Sequence, residues 1–250
     1  MAISQLHPLE IDERTGEPFL RLPPPHNNII ITPPRLTDAP ELTNILSEPA
    51  IYTWLSSAPR PCTQEHAEAR LLRLKGRLEE LMKEIKELEE AFPDGPLQWV
   101  SGCPVNALRE VKEDGTQVYI GDIGMRRDRF MHAGEGEFGE GDEQRRLEAE
   151  NAALPNGDEN ILWSMGDFLS TPYHGRGIIS AAIATLFREW YIPRMNVHHV
   201  RVEAFAGNGA SVRVFQKNGF VVDPEVRKVD HVNAAGIRHT GMHVMIWDRK

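Results

Sequence analysis

The 250-residue chain is 40% apolar, enough for a core, and is long for one ordinary domain without requiring two. Its net charge of -9, with no cluster of Lys and Arg, argues against a nucleic-acid partner, because phosphate backbones draw their affinity from such clusters. Cys62 and Cys103 form neither a metal-type spacing nor a disulfide framework, and no segment reaches the roughly 20 apolar residues of a membrane span. The expectation is a soluble cytoplasmic protein without a metal.

Residues 1–28 mix acids, prolines and isolated apolar side chains and read as an N-terminal arm that packs on a domain running from 29 to 250. Ile29-Ile30-Ile31-Thr32, a β-branched run closed by Pro33-Pro34, predicts a first strand. Thr37 or Asp38 would then cap a helix through Leu42, Ile45 and Leu46, and a further turn would hold Ile51, Tyr52 and Trp54. Ala67, Leu71, Leu74, Leu78, Leu81, Ile85, Leu88 and Phe92 recur in alternating steps of four and three, a heptad seam. It predicts a long helix, an insertion over 63–92, which either folds back on its own domain or forms a homodimeric or partner coiled coil.

Val105 to Val111, the turn Glu113-Asp114-Gly115 and Gln117 to Met125 predict a hairpin. The acidic loop at 127–160 follows, in which Gly134, Gly136, Gly139 and Gly141 alternate with Glu and Asp. It reads as a surface insertion or a lid, with a helical turn at Glu143 to Leu154. Strands at 161–169 and 199–205 alternate with helices at 178–191 and 210–217, and β segments close the chain. The fold class is therefore α/β, or α+β: a mixed, mostly antiparallel central sheet, flanking helices and one parallel β-α-β crossover.

Two short segments carry the chemistry. In Tyr173-His174-Gly175-Arg176-Gly177-Ile178-Ile179, glycines stand between a strand and an apolar helix. There they admit backbone angles closed to other residues, and the helix start offers free N–H groups to an anion. A plain strand-to-helix corner would look the same. A Walker loop is excluded because no Gly-Lys-Ser/Thr follows, and a dinucleotide fingerprint because no third glycine comes three residues after Gly177. The second segment, Asn208-Gly209-Ala210-Ser211 running on to Lys217-Asn218-Gly219-Phe220, has the makings of a helix cap.

In order and spacing the two blocks resemble the GNAT superfamily of acyl-CoA-dependent N-acetyltransferases, nearest the branch of the ribosomal-protein N-terminal acetyltransferases. Pro34-Arg35-Leu36-Thr37-Asp38 is similar to that branch's N-terminal signature, and the likeness covers roughly 29–247. The resemblance implies acetyl-CoA as co-substrate and direct attack by a primary amine, on a small molecule or a protein N-terminus. It also implies site residues. Phe168, Leu169 and Ser170 would bond the pantetheine arm through the backbone, with an amide near Leu169 as oxyanion donor. His174, Gly175, Arg176, Gly177, Ile178 and Ile179 would cradle the diphosphate. Asn208 and Ser211 would reach the cofactor or cap the helix, and Lys217 would lie near the nucleotide.

This chain departs from the pattern in places. Ile179 replaces a small residue, His174 a common Gln or Arg, Phe215 the tyrosine that protonates the departing thiolate, and Ser164 a general-base glutamate. Asp167 and Glu203, on the flanking strands, are the remaining candidates for the base, and strand alternation leaves their faces open. Phe215, Ser164 and the heptad helix support a second reading, a non-catalytic acyl-CoA-binding or assembly protein with a degenerate active site.

Overall fold

A computed structural model describes residues 4–93, 95–131 and 141–250. The N-terminal arm joins the sheet: β1 (Glu10–Ile11) pairs with β2 (Pro18–Arg21), and β2 with β3 (Ile29–Thr32), Leu20 lying opposite Ile31. Leu9, Leu20 and Leu22 are buried there, and the fully buried Arg194 donates to the His7 carbonyl at 3.2 Å.

Asp38 does not cap the first helix through its side chain. A 3-10 turn, Leu36–Asp38, precedes α1 (Ala39–Leu46), and the Asp38 carboxylate instead takes two hydrogen bonds, each 2.7 Å, from the guanidinium of Arg109. Both side chains are buried, so desolvation of each charge is offset by the bidentate pair. After α2 (Pro49–Tyr52) comes α3 (Gln64–Ala91), capped by Thr63 Oγ1, which accepts from the His66 amide. Its seam is used inside the molecule: Ala67 and Leu71 pack with α1, while Leu81 and Ile85 enter the main core.

β4 (Ala107–Val111) and β5 (Gln117–Arg127) form the expected hairpin. The acidic glycine alternation at 132–140 lies outside the described residues, but the helical turn anticipated after it is a three-turn helix, α4 (Asp142–Ala153). Asn151 fixes α4 to the sheet by exchanging hydrogen bonds with the backbone of Leu162. There follow β6 (Leu162–Leu169), α5 (Ile178–Leu186) prolonged by a π turn at Phe187–Tyr191, α6 (Ile192–Met195), β7 (His199–Phe205), α7 (Gly209–Lys217), β8 (Val221–Val222), β9 (Arg227–Val232) and β10 (Arg238–Asp248).

The strand order is β1-β2-β3-β4-β5-β6-β7-β10-β8, with β9 on β10. Among the described residues every pairing is antiparallel except β6 with β7, the parallel crossover through α5. Trp163, Met165, Leu169, Val200 and Val202 pack on one face with α5 and α7. Ala107, Tyr119 and Phe168 pack on the other with α1 and the first turns of α3.

Candidate active site

The parallel pair comes apart. β6 and β7 are matched only at Leu162, Trp163 and Ser164, opposite His199, Val200 and Arg201. Yet β6 stays on β5 through Leu169, and β7 stays on β10 through Phe205. A wedge therefore opens between Met165–Leu169 and Val202–Phe205.

The ladder direction says which backbone groups face it. Ser170 N donates to Ile120 O and Asp128 N to Leu162 O, both at 2.8 Å, so the even-numbered residues of β6 bond toward β5. By alternation the N–H and C=O of Met165, Asp167 and Leu169 face the wedge. On the far side Ala206 N donates to Gly241 O at 2.8 Å, which turns the backbone of Glu203 and Phe205 toward the wedge as well, where Phe205 O accepts from Asn208 N at 3.0 Å. Buried backbone groups need partners, so the wedge suits an extended, amide-bearing ligand. Around it lies a cleft of about 670 Å³ that passes from one face of the sheet to the other.

At the wedge mouth Gly175 and Gly177 have φ of +72° and +82°, left-handed values that a side chain disfavours by about 1–2 kcal/mol. Gly177 caps α5, and the first helical bond there runs from Ala181 N to Gly177 O at 2.9 Å. The amides of Ile178, Ile179 and Ser180 are left as the outward donors of a helix start. Distant partners hold the loop. Glu48, ahead of α2, accepts from Ser170 Oγ at 3.2 Å and from the Thr171 amide at 3.0 Å. His174 Nε2 lies 2.6 Å from the Leu169 carbonyl, and Arg176 stacks 5.4 Å over the Tyr173 ring.

All but two of the cofactor residues named from the sequence line the cleft. Arg176 instead lines a neighbouring 240 Å³ cavity with His26 and Glu110. Ser170 is bonded through its backbone to β5 and through its hydroxyl to Glu48. Asn208 caps α7 by accepting from the Ser211 amide at 3.2 Å. Phe215 is buried at the cleft wall, edge-on to Phe220 at 5.1 Å.

The two carboxylates occupy opposite faces. Asp167 shares its side with Met165 and Leu169, toward α5 and α7, and its pKa is pushed up to about 6 by burial, with the Asp122 charge adding to the shift. Glu203 projects toward α1. There Arg201 reaches it at 3.5 Å and Asp128 at 3.0 Å. Glu48, Trp54, Arg126, Phe205 and Met242 also shape the site but carry no local sequence signal, since chain segments far apart bring them there.

Comparison with known proteins decides the family. A model of the acetyltransferase (GNAT) domain matches residues 28–221. The chain belongs to the GNAT acetyltransferases. No curated protein sequence matches it. Among solved structures, the ribosomal-protein-S5-alanine acetyltransferase of Vibrio fischeri superposes with a TM-score of 0.56 at 15% identity, over 92% of this chain and 96% of that one. The ribosomal L7/L12 alpha-N-protein acetyltransferase, in complex with coenzyme A, gives 0.54 at 12% identity, over 92% and 97%. The microcin C7 self-immunity acetyltransferase, in complex with acetyl-CoA and AMP, gives 0.53 at 11% identity, over 89% and 93%. At these identities the shared property is the GNAT fold.

The glycine turn, the α5 amides and the strand backbone that β6 turns toward the wedge fit coenzyme A as a ligand. Among the described residues no group of three or more His, Cys, Asp or Glu is placed to hold a metal, and no helix is long and apolar enough to cross a membrane.

Proposed function

We propose that the protein transfers the acetyl group of acetyl-CoA to a primary amine by direct attack. The wedge carries this reading, because the β6–β7 ladder ends at Ser164 and leaves strand backbone facing the gap beside a glycine turn at a helix start. In it Met165 and Asp167 bond the amides of the pantetheine arm, residues 174–179 receive the diphosphate, and Arg213 and Lys217 lie along α7 toward the nucleotide. The Leu169 amide, facing the wedge, stabilises the developing oxyanion.

Glu203 is the base. It lies on the α1 face, open to the acceptor, whereas Asp167 faces the cofactor helices. One ammonium proton passes to Glu203, and the amine nitrogen bonds the acetyl carbon. As the carbon–sulfur bond breaks, its electron pair leaves on sulfur and the second nitrogen proton is transferred to the thiolate. Phe215 has no proton to give, so that transfer runs through solvent, which the ordinary acidity of a thiol permits.

The acceptor is either a small-molecule amine or a protein N-terminus, the latter being the class on which the ribosomal-protein neighbours act. The free thiols of Cys62 and Cys103 support a reducing cytoplasm. Calorimetry with acetyl-CoA tests the cofactor half, and no binding refutes it. Thiol release with an amine panel tests the rest: Glu203→Gln should lower kcat by about 10²-fold or more. Phe215 and Ser164 favour a second reading, acyl-CoA binding without turnover, which any release of thiol by a natural amine would defeat.

A further inference from the structure

On the α1 face of the sheet, Gly124 of β5 stands directly opposite Gly166 of β6, and a Cβ built on either would meet nothing within 4 Å. The pair floors a hollow without side chains. Two residues along the strands on one side, Arg126 stands opposite Ser164, and Ser164 is level with Arg201 of β7. On the other side Asp122 stands opposite Phe168. Glu203 closes the hollow toward the wedge, and Arg126, Gly166 and Glu203 all line the 670 Å³ cleft.

The charges on this face are unevenly matched. Asp122 has Arg70 at 3.7 Å, and Asp128 has Arg201 at 3.0 Å. Arg126, between those two carboxylates along β5, has no hydrogen-bond or ion-pair partner among the described residues. Burial holds its pKa below the usual guanidinium value, and Arg129, Arg77 and Arg70 add repulsion, with Asp128 opposing them. In a chain of net charge -9, the acceptor side of the cleft thus presents a cation with no ion-pair partner among the described residues.

We propose that the acceptor is a primary amine that itself carries a carboxylate. Glu203 meets the ammonium end beside the wedge, Arg126 takes the carboxylate, and the acceptor backbone crosses the Gly124–Gly166 floor. Adjacent strands lie about 4.8 Å apart, so Arg126 and β7 are separated by roughly 10 Å, a gap that two side chains and a small zwitterion fill. A guanidinium binds a carboxylate through two parallel hydrogen bonds, which a neutral amide cannot reproduce. This inference rests on the acetyltransferase reading and narrows its acceptor.

Two kinds of molecule offer that chemistry, a free amino acid and a peptide N-terminus with an acidic residue beside it. The test compares glycine, alanine and glutamate with their carboxamides in one arm, and peptides differing only in Asp, Asn or Lys at the second position in the other. The readouts are thiol release and calorimetric binding to the CoA-loaded protein. The acid should be preferred in one arm, which identifies the source, and Arg126→Gln should reduce the acid-to-amide ratio by about 10- to 100-fold, with Arg126→Lys keeping part of it. Gly166→Val, which fills the hollow, should raise KM for the preferred acceptor while acetyl-CoA still binds. Equal use of acids and amides, or a preference that survives in Arg126→Gln, overturns the inference and leaves the acetyltransferase reading standing. Failure to bind acetyl-CoA overturns both.

Discussion

Asp38 lies in the signature segment before the first helix, where a cap was expected, yet its carboxylate neutralises Arg109, 71 residues away. Removing it leaves a buried guanidinium without a counter-charge. Asp38→Ala should therefore lose about 3–5 kcal/mol of stability, seen as a fall in the urea midpoint. Asp167 behaves differently, because its folded pKa, about 6, lies above its ordinary value of 3.8. Between those values the native state holds more protons than the unfolded chain, so this group's contribution falls as pH rises from about 4 to 6 and stays low above. Asp167→Asn removes that decline, and the variant should gain on the order of 1–2 kcal/mol relative to wild type at pH 8 over pH 4 in chemical denaturation. Gly175 and Gly177 were legible as a turn because the need for positive φ is local to the residue. Glu48 and Arg126 were not, since a surface acid or base reveals nothing of a partner or hollow that only another strand or loop supplies.

At the scale of elements, the strands at 29–32 and 199–205 followed from β-branched runs and their bounding turns, and α3 from its heptad spacing. The helix after the acidic loop lies within one residue of the expected Glu143–Leu154; Asp142–Ala153 shows no apolar stripe and is fixed by Asn151 and Gln144 hydrogen bonds to the backbone of 128–162. The strand-to-helix turn before α5 is the element on which cofactor binding depends. Gly177→Val forces a left-handed residue to carry a branched side chain, and acetyl-CoA affinity should drop while the circular dichroism spectrum is retained. Glu48→Ala frees the Ser170 and Thr171 contacts and should weaken acetyl-CoA binding by about 5- to 30-fold, as one or two lost hydrogen bonds to a charged group imply. Unaltered affinity in both variants would remove this turn from the site.

In the whole molecule, net charge and local charge point in opposite directions. A net charge of -9 would by itself draw a cationic amine, but long-range potential matters less inside a cleft than a nearby charge, and Arg126 has no hydrogen-bond or ion-pair partner among the described residues. Half of the α3 seam packs within the chain, where Ala67, Leu71, Leu81 and Ile85 are buried. A dimer through α3 would have to draw on Leu72, Leu74 and Leu78, and light scattering at high concentration should report a monomer. The sequence by itself determined the element order from residue 29 onward, the mixed sheet with its one parallel crossover, and the glycine turn, because periodicity and backbone preference are properties of neighbouring residues; the two strands of the N-terminal arm carry too short a pattern to read. Tertiary structure alone decided that β6 and β7 part after Ser164, that Asp167 and Glu203 lie on opposite faces, and that Arg126 overlooks a glycine floor. Each of these depends on strand register, which is set by the packing of segments distant in the chain.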